Sequence, residues 1–270
     1  MKKLLPALLA VIMLASCSSV MMTGRRQLNL VSDAELNQLS FAAYKQLKDS
    51  VPMSTDRTNS AMVKRVGTNI SAAVERYMRQ NGLEEQIANF QWEYNLFKVN
   101  QVNAFAMPGG KIAVFDGILP KTMTETGMAV VVGHEIAHVV ARHSAERYSQ
   151  QVAAQYGGAI LGAVIGGSST TVQNGVGLLY GIGGQMMLLK YSRKQEYEAD
   201  ELGLILMAMA GYNPNEAITF WERMTKDNTK SVSDFMSTHP SDEKRIARLK
   251  QVAPVAMQYY KTGITPKVTK

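Results

Sequence analysis

Cysteine is almost absent from this chain: Cys17 is the only one, so no intrachain disulfide can hold the fold together. Histidine is scarce too, with four in 270 residues. Beyond Leu14 no uninterrupted apolar run reaches the ~20 residues that a membrane-spanning helix needs. No block of like charge stands out. The net charge is +7, part of it in Lys2 and Lys3 at one end and Lys261, Lys267 and Lys270 at the other. A nucleic-acid site needs basic residues concentrated in one stripe and interleaved with aromatics; there is none, so nucleic acid is not an expected partner. No internal repeat is visible. With 46% hydrophobic residues, the chain has the composition of a globular protein with one sizeable core, in one or two domains.

Residues 1–16 combine a basic start, an apolar stretch from Leu4 to Leu14 and small residues at the close, the pattern of a cleaved secretory signal. Leu14-Ala15-Ser16-Cys17 resembles the bacterial lipobox, in which the cysteine is lipidated and becomes the new first residue. Residues 17–30 then read as a short, polar, lipidated tether. Acyl chains anchor stably because each buried methylene contributes ~0.8 kcal/mol. No aspartate follows Cys17, which by resemblance to enterobacterial lipoproteins implies the outer membrane of the cell envelope.

Past the tether, two amphipathic helices are predicted. The first has Leu36, Leu39, Ala43 and Leu47 on one face behind a capping Ser32 or Asp33; the second has Met62, Val66, Ile70 and Val74. Between about 90 and 115, alternating aromatics and the turn residues Pro108-Gly109-Gly110 predict a small antiparallel sheet. The helical period returns at about residue 122 and runs unbroken through 151. Ten glycines between Gly157 and Gly184 predict closely packed helices. From Tyr191 the pattern is helical again. The fold class is therefore α+β and mostly helical, with a domain over 31–252 and a C-terminal tail over 253–270.

Three of the four histidines fall within ten residues: GHEIAHVVARH holds His134, His138 and His143. Four residues apart on a helix, His134 and His138 present two imidazoles to one point, and neutral imidazole is a preferred zinc ligand. Glu135 is then placed to take a proton from a water activated by the ion. This is the HExxH arrangement, and the chain's own composition would produce about 0.005 copies of it by chance. Valines on both sides describe a buried helix, where two histidines and a carboxylate are costly without a partner. A catalytic zinc needs a third protein ligand. Downstream, YSRKQEYEADELG offers Glu196 and Asp200 on one helical face, which Glu198 cannot join; spacing alone does not choose between the two.

HExxH on a buried helix, followed by a glycine-rich interval and SRKQEYEAD, resembles zinc metallopeptidase family forty-eight. Over roughly residues 30–252, the resemblance implies a zincin-like core with the small antiparallel sheet beside the HExxH helix, and one Zn2+ per chain. It makes Glu196 the third ligand and Asp200 the carboxylate that orients a ligating histidine. Asn103, Ala104, Phe105 and Ala106 match the family's strand beside the cleft, an edge on which a substrate backbone can pair. THPSDEKRI matches its late His-Pro with a following arginine, which places His239 and Arg245 across the cleft. There His239 acts either as an oxyanion donor with Arg245 or as a fourth ligand that keeps the enzyme latent. His143 lies about 140° round a continuous helix from His138 and is expected to support the site rather than bind metal. Multiple membrane helices are lacking, so no prenylated substrate is implied. The expected activity is zinc-dependent endoproteolysis of unfolded or misassembled envelope proteins at a membrane reached through lipidated Cys17. The alternative is a lipid-anchored chaperone or assembly factor with a mostly latent site.

Overall fold

The computed structural model describes residues 17–165, 191–227, 229–239 and 243–263. The expected signal sequence, most of the glycine-rich segment and residues 264–270 lie outside them, as does the side chain of Cys17. Among the described residues no helix is long and apolar enough to cross a membrane.

The first two helices form where the apolar spacing places them. In α1, Asp33–Ser50, Ser32 caps the first turn by accepting from the Glu35 N–H, and Leu36, Ala43 and Leu47 are buried. In α2, Arg57–Gln80, Asp56 caps and Val66, Ile70 and Val74 face the core. A single-turn helix α3, Glu84–Ile87, leads into the sheet.

The sheet holds β3 (Glu93–Phe97), β4 (Ala104–Met107) and β5 (Lys111–Phe115) in the order β3-β5-β4. It is mixed, not antiparallel throughout: β5 runs antiparallel to β4 but parallel to β3. Residues 98–103 carry the chain past the end of β5 instead of folding back on β3. They are tied there by N–H donation from Phe115 to the Asn103 carbonyl and from Gly117 to the Val99 carbonyl, both at 3.0 Å. Gly117 is required at this crossing, because a Cβ there would lie 2.5 Å from the Gln101 backbone. Gly109 and Gly110, at φ +76° and +89°, make the turn between β4 and β5. One face of the sheet packs on α1 through Tyr44, Phe97 and Phe115. The other joins the main core with α2.

After a short helix α4, Leu119–Thr122, the central helix α5 spans Glu125–Val140, capped by Thr124 and buried from Gly127 to Val140. It does not continue into the next helix. Arg142 sits at φ +56°, in the left-handed region, its guanidinium held by Asp33, and α6 starts afresh at His143 and runs to Ile165. The unbroken helix expected here is therefore two. Past the undescribed interval, α7 covers Arg193–Met209, α8 Glu216–Lys226, α9 Lys230–Thr238 and α10 Glu243–Thr262. α10 passes through the expected tail boundary with Ala253 and Ala256 buried, so the domain extends further than residue 252.

Residues 17–30 also depart from expectation. They form a hairpin, β1 (Cys17–Ser19) against β2 (Arg26–Leu28), rather than a loose tether. Its tip buries Val20 and Met21 in the main core, because those two apolar side chains find a seat there.

Candidate metal centre

The site forms where α5 and α7 cross. Gly133 and Gly203 make the crossing close: a Cβ on Gly203 would lie 2.9 Å from the backbone of Gly133 and of His134. Glu196, Asp200 and Gly203 share one helical face at spacings of four and three, so the face that touches α5 carries both carboxylates to the histidines. The helix starts where it must for this. Ser192 and Gln195 form a capping box, putting Glu196 in the first turn of α7.

On α5 the Nε2 atoms of His134 and His138 stand 3.0 Å apart. The outer nitrogen of each ring is engaged: His134 Nδ1 is 2.9 Å from Asp200 Oδ1, and His138 Nδ1 is 2.8 Å from His143 Nδ1. Asp200, gripped by Arg245, is an acceptor, so His134 donates to it from Nδ1 and turns Nε2 to the metal point. Glu196 completes the point, with Oε2 3.4 Å from His134 Nε2 and Oε1 3.4 Å from His138 Nε2. His239 joins them, its Nδ1 3.3 Å from Glu196 Oε2. The ligand atoms of these four buried residues all lie within 4.8 Å of one another.

Electrostatics at this point favour a cation. Glu196 is fully buried, which alone would raise its carboxyl, yet His239, His134 and His138 hold it well below the usual carboxylate range. Burial pushes the His134 imidazole down, but Asp200 and Glu196 outweigh it and lift it to about 9. His138 is driven well below the ordinary histidine range by burial. Glu196 Oε1 and both oxygens of Glu135 are buried without a hydrogen-bond partner. Two imidazole Nε2 atoms facing a buried carboxylate, inside a protein, fit a tetrahedral N/O-ligated ion such as zinc. Glu135 itself is raised by burial, as a proton acceptor near neutral pH should be.

The remaining residues singled out in the sequence fall round this point. Asp200 sits behind His134. Arg245 donates through Nε to Asp200 and through Nη2 at 2.7 Å, and its guanidinium lies 3.5 Å above the Trp221 ring. It is fully buried, and besides bracing Asp200 its Nη1 lies 3.4 Å from Glu196 Oε2 and 3.4 Å from the His239 carbonyl. His143, which a continuous helix would turn away, faces His138 directly because Arg142 breaks the helix between them. Asn103–Ala106 enter and form β4, an edge of its sheet, packed beside α5. A recess next to His138 is lined by apolar residues such as Leu36, Phe90 and Val139 and by polar ones such as Asp33, Asn37 and Arg142.

Several contributors carried no local signal. Tyr191 stacks on His138 with ring centroids 3.9 Å apart and its hydroxyl 2.9 Å from Ser144 Oγ. Trp221 supports Arg245 from α8. Glu198 receives His143 Nε2 at 3.0 Å on one side and Arg25 on the other. Burial would raise Glu198, but His143, Thr23 and Arg25 hold it at about 2.

Residues 64–253 match the model of peptidase family M48. The chain belongs to peptidase family M48. The matched stretch contains the whole cluster of His134, His138, Glu196 and His239. Relatives agree with this. Mitochondrial metalloendopeptidase OMA1 of Schizosaccharomyces pombe is 37% identical over 191 residues, 69% of this chain and 53% of that protein. Metalloprotease LoiP of Escherichia coli is 27% identical over 225 residues, 82% of this chain and 81% of its own. The beta-barrel assembly-enhancing protease of Yersinia pestis is 28% identical over 163 residues, 58% of this chain and 33% of its own. The M48 chain thus spans about half the length of the mitochondrial relative first named.

Proposed function

We propose that this M48 chain is a zinc endopeptidase of the bacterial cell envelope that cleaves unfolded or misassembled envelope proteins. The observation that carries the reading is one ligand point, formed by His134, His138 and Glu196, with the buried Glu135 beside it and β4 at the edge of its sheet among the described residues. When bound there, zinc supplies a Lewis acid that polarises the scissile carbonyl and lowers the pKa of a water to about 7. Glu135 takes the proton from the attacking water on its carboxylate and returns it to the leaving amine. β4 pairs with the substrate backbone, which reads extended chain rather than sequence, and the recess beside His138 takes an apolar side chain. Unfolded chains offer both. The name of the Yersinia pestis relative, a beta-barrel assembly-enhancing protease, supports the envelope setting. Chelator-sensitive cleavage of casein or an unfolded outer-membrane protein by the full chain tests this; activity that survives zinc removal would refute it.

A second reading has its own observation. His239 stands in the same group of four ligand atoms, so the arrangement described is that of a closed, latent site, in which a chaperone or assembly role would dominate at rest. This geometry favours the fourth-ligand role over the donor role, because His239 Nδ1 lies 3.3 Å from Glu196 Oε2, within the same ligand group as His134 and His138. His239→Ala should therefore keep its zinc and raise basal casein cleavage several-fold. A fall in turnover by about 100-fold with zinc retained would show the donor role instead.

The lipobox-like segment supports lipidation at Cys17 as the membrane anchor in this reading, and the lack of a following aspartate supports the outer membrane. Cys17→Ala should leave an uncleaved or soluble exported form on fractionation. Unchanged membrane association would remove the anchor from the reading.

A further inference from the structure

The hairpin of residues 17–28 touches more than the core. Arg25, at its base, bridges two helices: Nη1 and Nη2 each lie 2.7 Å from one oxygen of Glu146 on α6, and Nε lies 2.6 Å from Glu198 Oε2 on α7. Thr23 donates its hydroxyl to the other oxygen of Glu198. Gln195 donates to Glu146 at 2.8 Å, closing the cluster from above. These side chains are nearly buried, with Arg25 at 14% and Glu198 at 6% exposure.

What Glu198 does next matters. It accepts from His143 Nε2 at 3.0 Å, and His143 Nδ1 faces His138 Nδ1 at 2.8 Å. Two nitrogens at that separation share one proton, and the carboxylate decides whose it is. Glu198 can only accept, so His143 is protonated on Nε2 and its Nδ1 is bare. His138 must then donate from Nδ1, which leaves its Nε2 lone pair directed at the metal point. One fixed line of hydrogen bonds therefore runs from Arg25 through Glu198 and His143 to His138.

We propose that Arg25, assisted by Thr23, is a positioning residue of the zinc site, fixing the tautomer and ring orientation of His138 through Glu198 and His143. The proposal rests on the zinc-peptidase reading above. It gives the N-terminal hairpin a part in metal binding, although it lies more than a hundred residues from any ligand and outside the segment matched by the family. A support of this kind changes how tightly the ion is held, because a ligand ring that wanders or takes the wrong tautomer must be reordered when the ion binds.

The burial of Val20 and Met21 and the bond from the Leu30 N–H to Ser149 Oγ hold the hairpin in place without Arg25. The full chain with Arg25→Ala is therefore expected to fold. Zinc affinity, measured by competition with a chromophoric chelator, should fall about 10-fold in Arg25→Ala, the low end for residues behind a ligand. Arg25→Lys should recover part of the loss, and Thr23→Val should show a smaller one. In a Glu198→Gln background Arg25→Ala should add nothing, since both act on one line. Thermal melting of the zinc-free forms serves as the control for a merely structural role. Affinity in Arg25→Ala within about twofold of the parent, whatever its melting temperature, would overturn the inference. So would an equal loss with Glu198 already changed. A parent chain that takes up no zinc would instead overturn the reading on which this one stands.

Discussion

Glu135→Gln should abolish cleavage, by on the order of 10³-fold, while zinc stays bound and the fold stays intact. The reasoning is local. Glu135 is 1% exposed, and its contact with His239 Nε2 is 3.7 Å, beyond hydrogen-bond reach, so little structural contact is lost when one oxygen becomes an amide nitrogen. The amide keeps the volume and the packing of α5. It cannot take a proton. Because burial raises Glu135, the native carboxyl is a stronger base than an exposed glutamate, and the loss should be correspondingly large. Metal content and casein turnover on the same preparation make the check. Activity equal to the parent would remove Glu135 from the proton transfer.

Glu196→Ala should give a chain that loses most of its zinc. His134 and His138 alone hold an ion poorly, and Glu196 is the carboxylate that sits 3.4 Å from both of their Nε2 atoms. Its neighbours discriminate the role sharply. Glu198→Ala should keep zinc, more weakly, since Glu198 reaches His138 only through His143. If Glu198→Ala empties the site and Glu196→Ala does not, the ligand assignment falls. Metal analysis after dialysis of both variants, with circular dichroism to confirm folding, separates the outcomes.

Much of the site could be read before any coordinates. The four-residue spacing of His134 and His138, and of Glu196 and Asp200, is a property of helix geometry, and each pair lies on its expected face. The caps at Ser32 and the apolar faces of α1 and α2 follow from the same periodicity. Three details differ from the local reading of the sequence, because each depends on where the chain turns. The angle between His138 and His143 assumed one helix, and a single left-handed residue, Arg142, reverses it. The antiparallel sheet assumed that neighbours in sequence pair, whereas residues 98–103 cross the end of β5. The polar look of residues 17–30 suggested a tether, whereas Val20, Met21 and Arg25 dock it.

The sequence by itself determined the chemistry: two imidazoles, a base and a downstream acid at spacings that only a helix turns into a metal site. Tertiary structure decided how that chemistry is held. Arg25 meets Glu146 and Glu198 across 121 and 173 residues, Arg245 meets Asp200 across 45, and Trp221 slides beneath Arg245 from a separate helix. Such pairs have no period to reveal them. Helix spacing works through bonds between adjacent turns and is written along the chain, whereas a partner brought by the crossing of α5 and α7 exists only once Gly133 and Gly203 let two backbones meet.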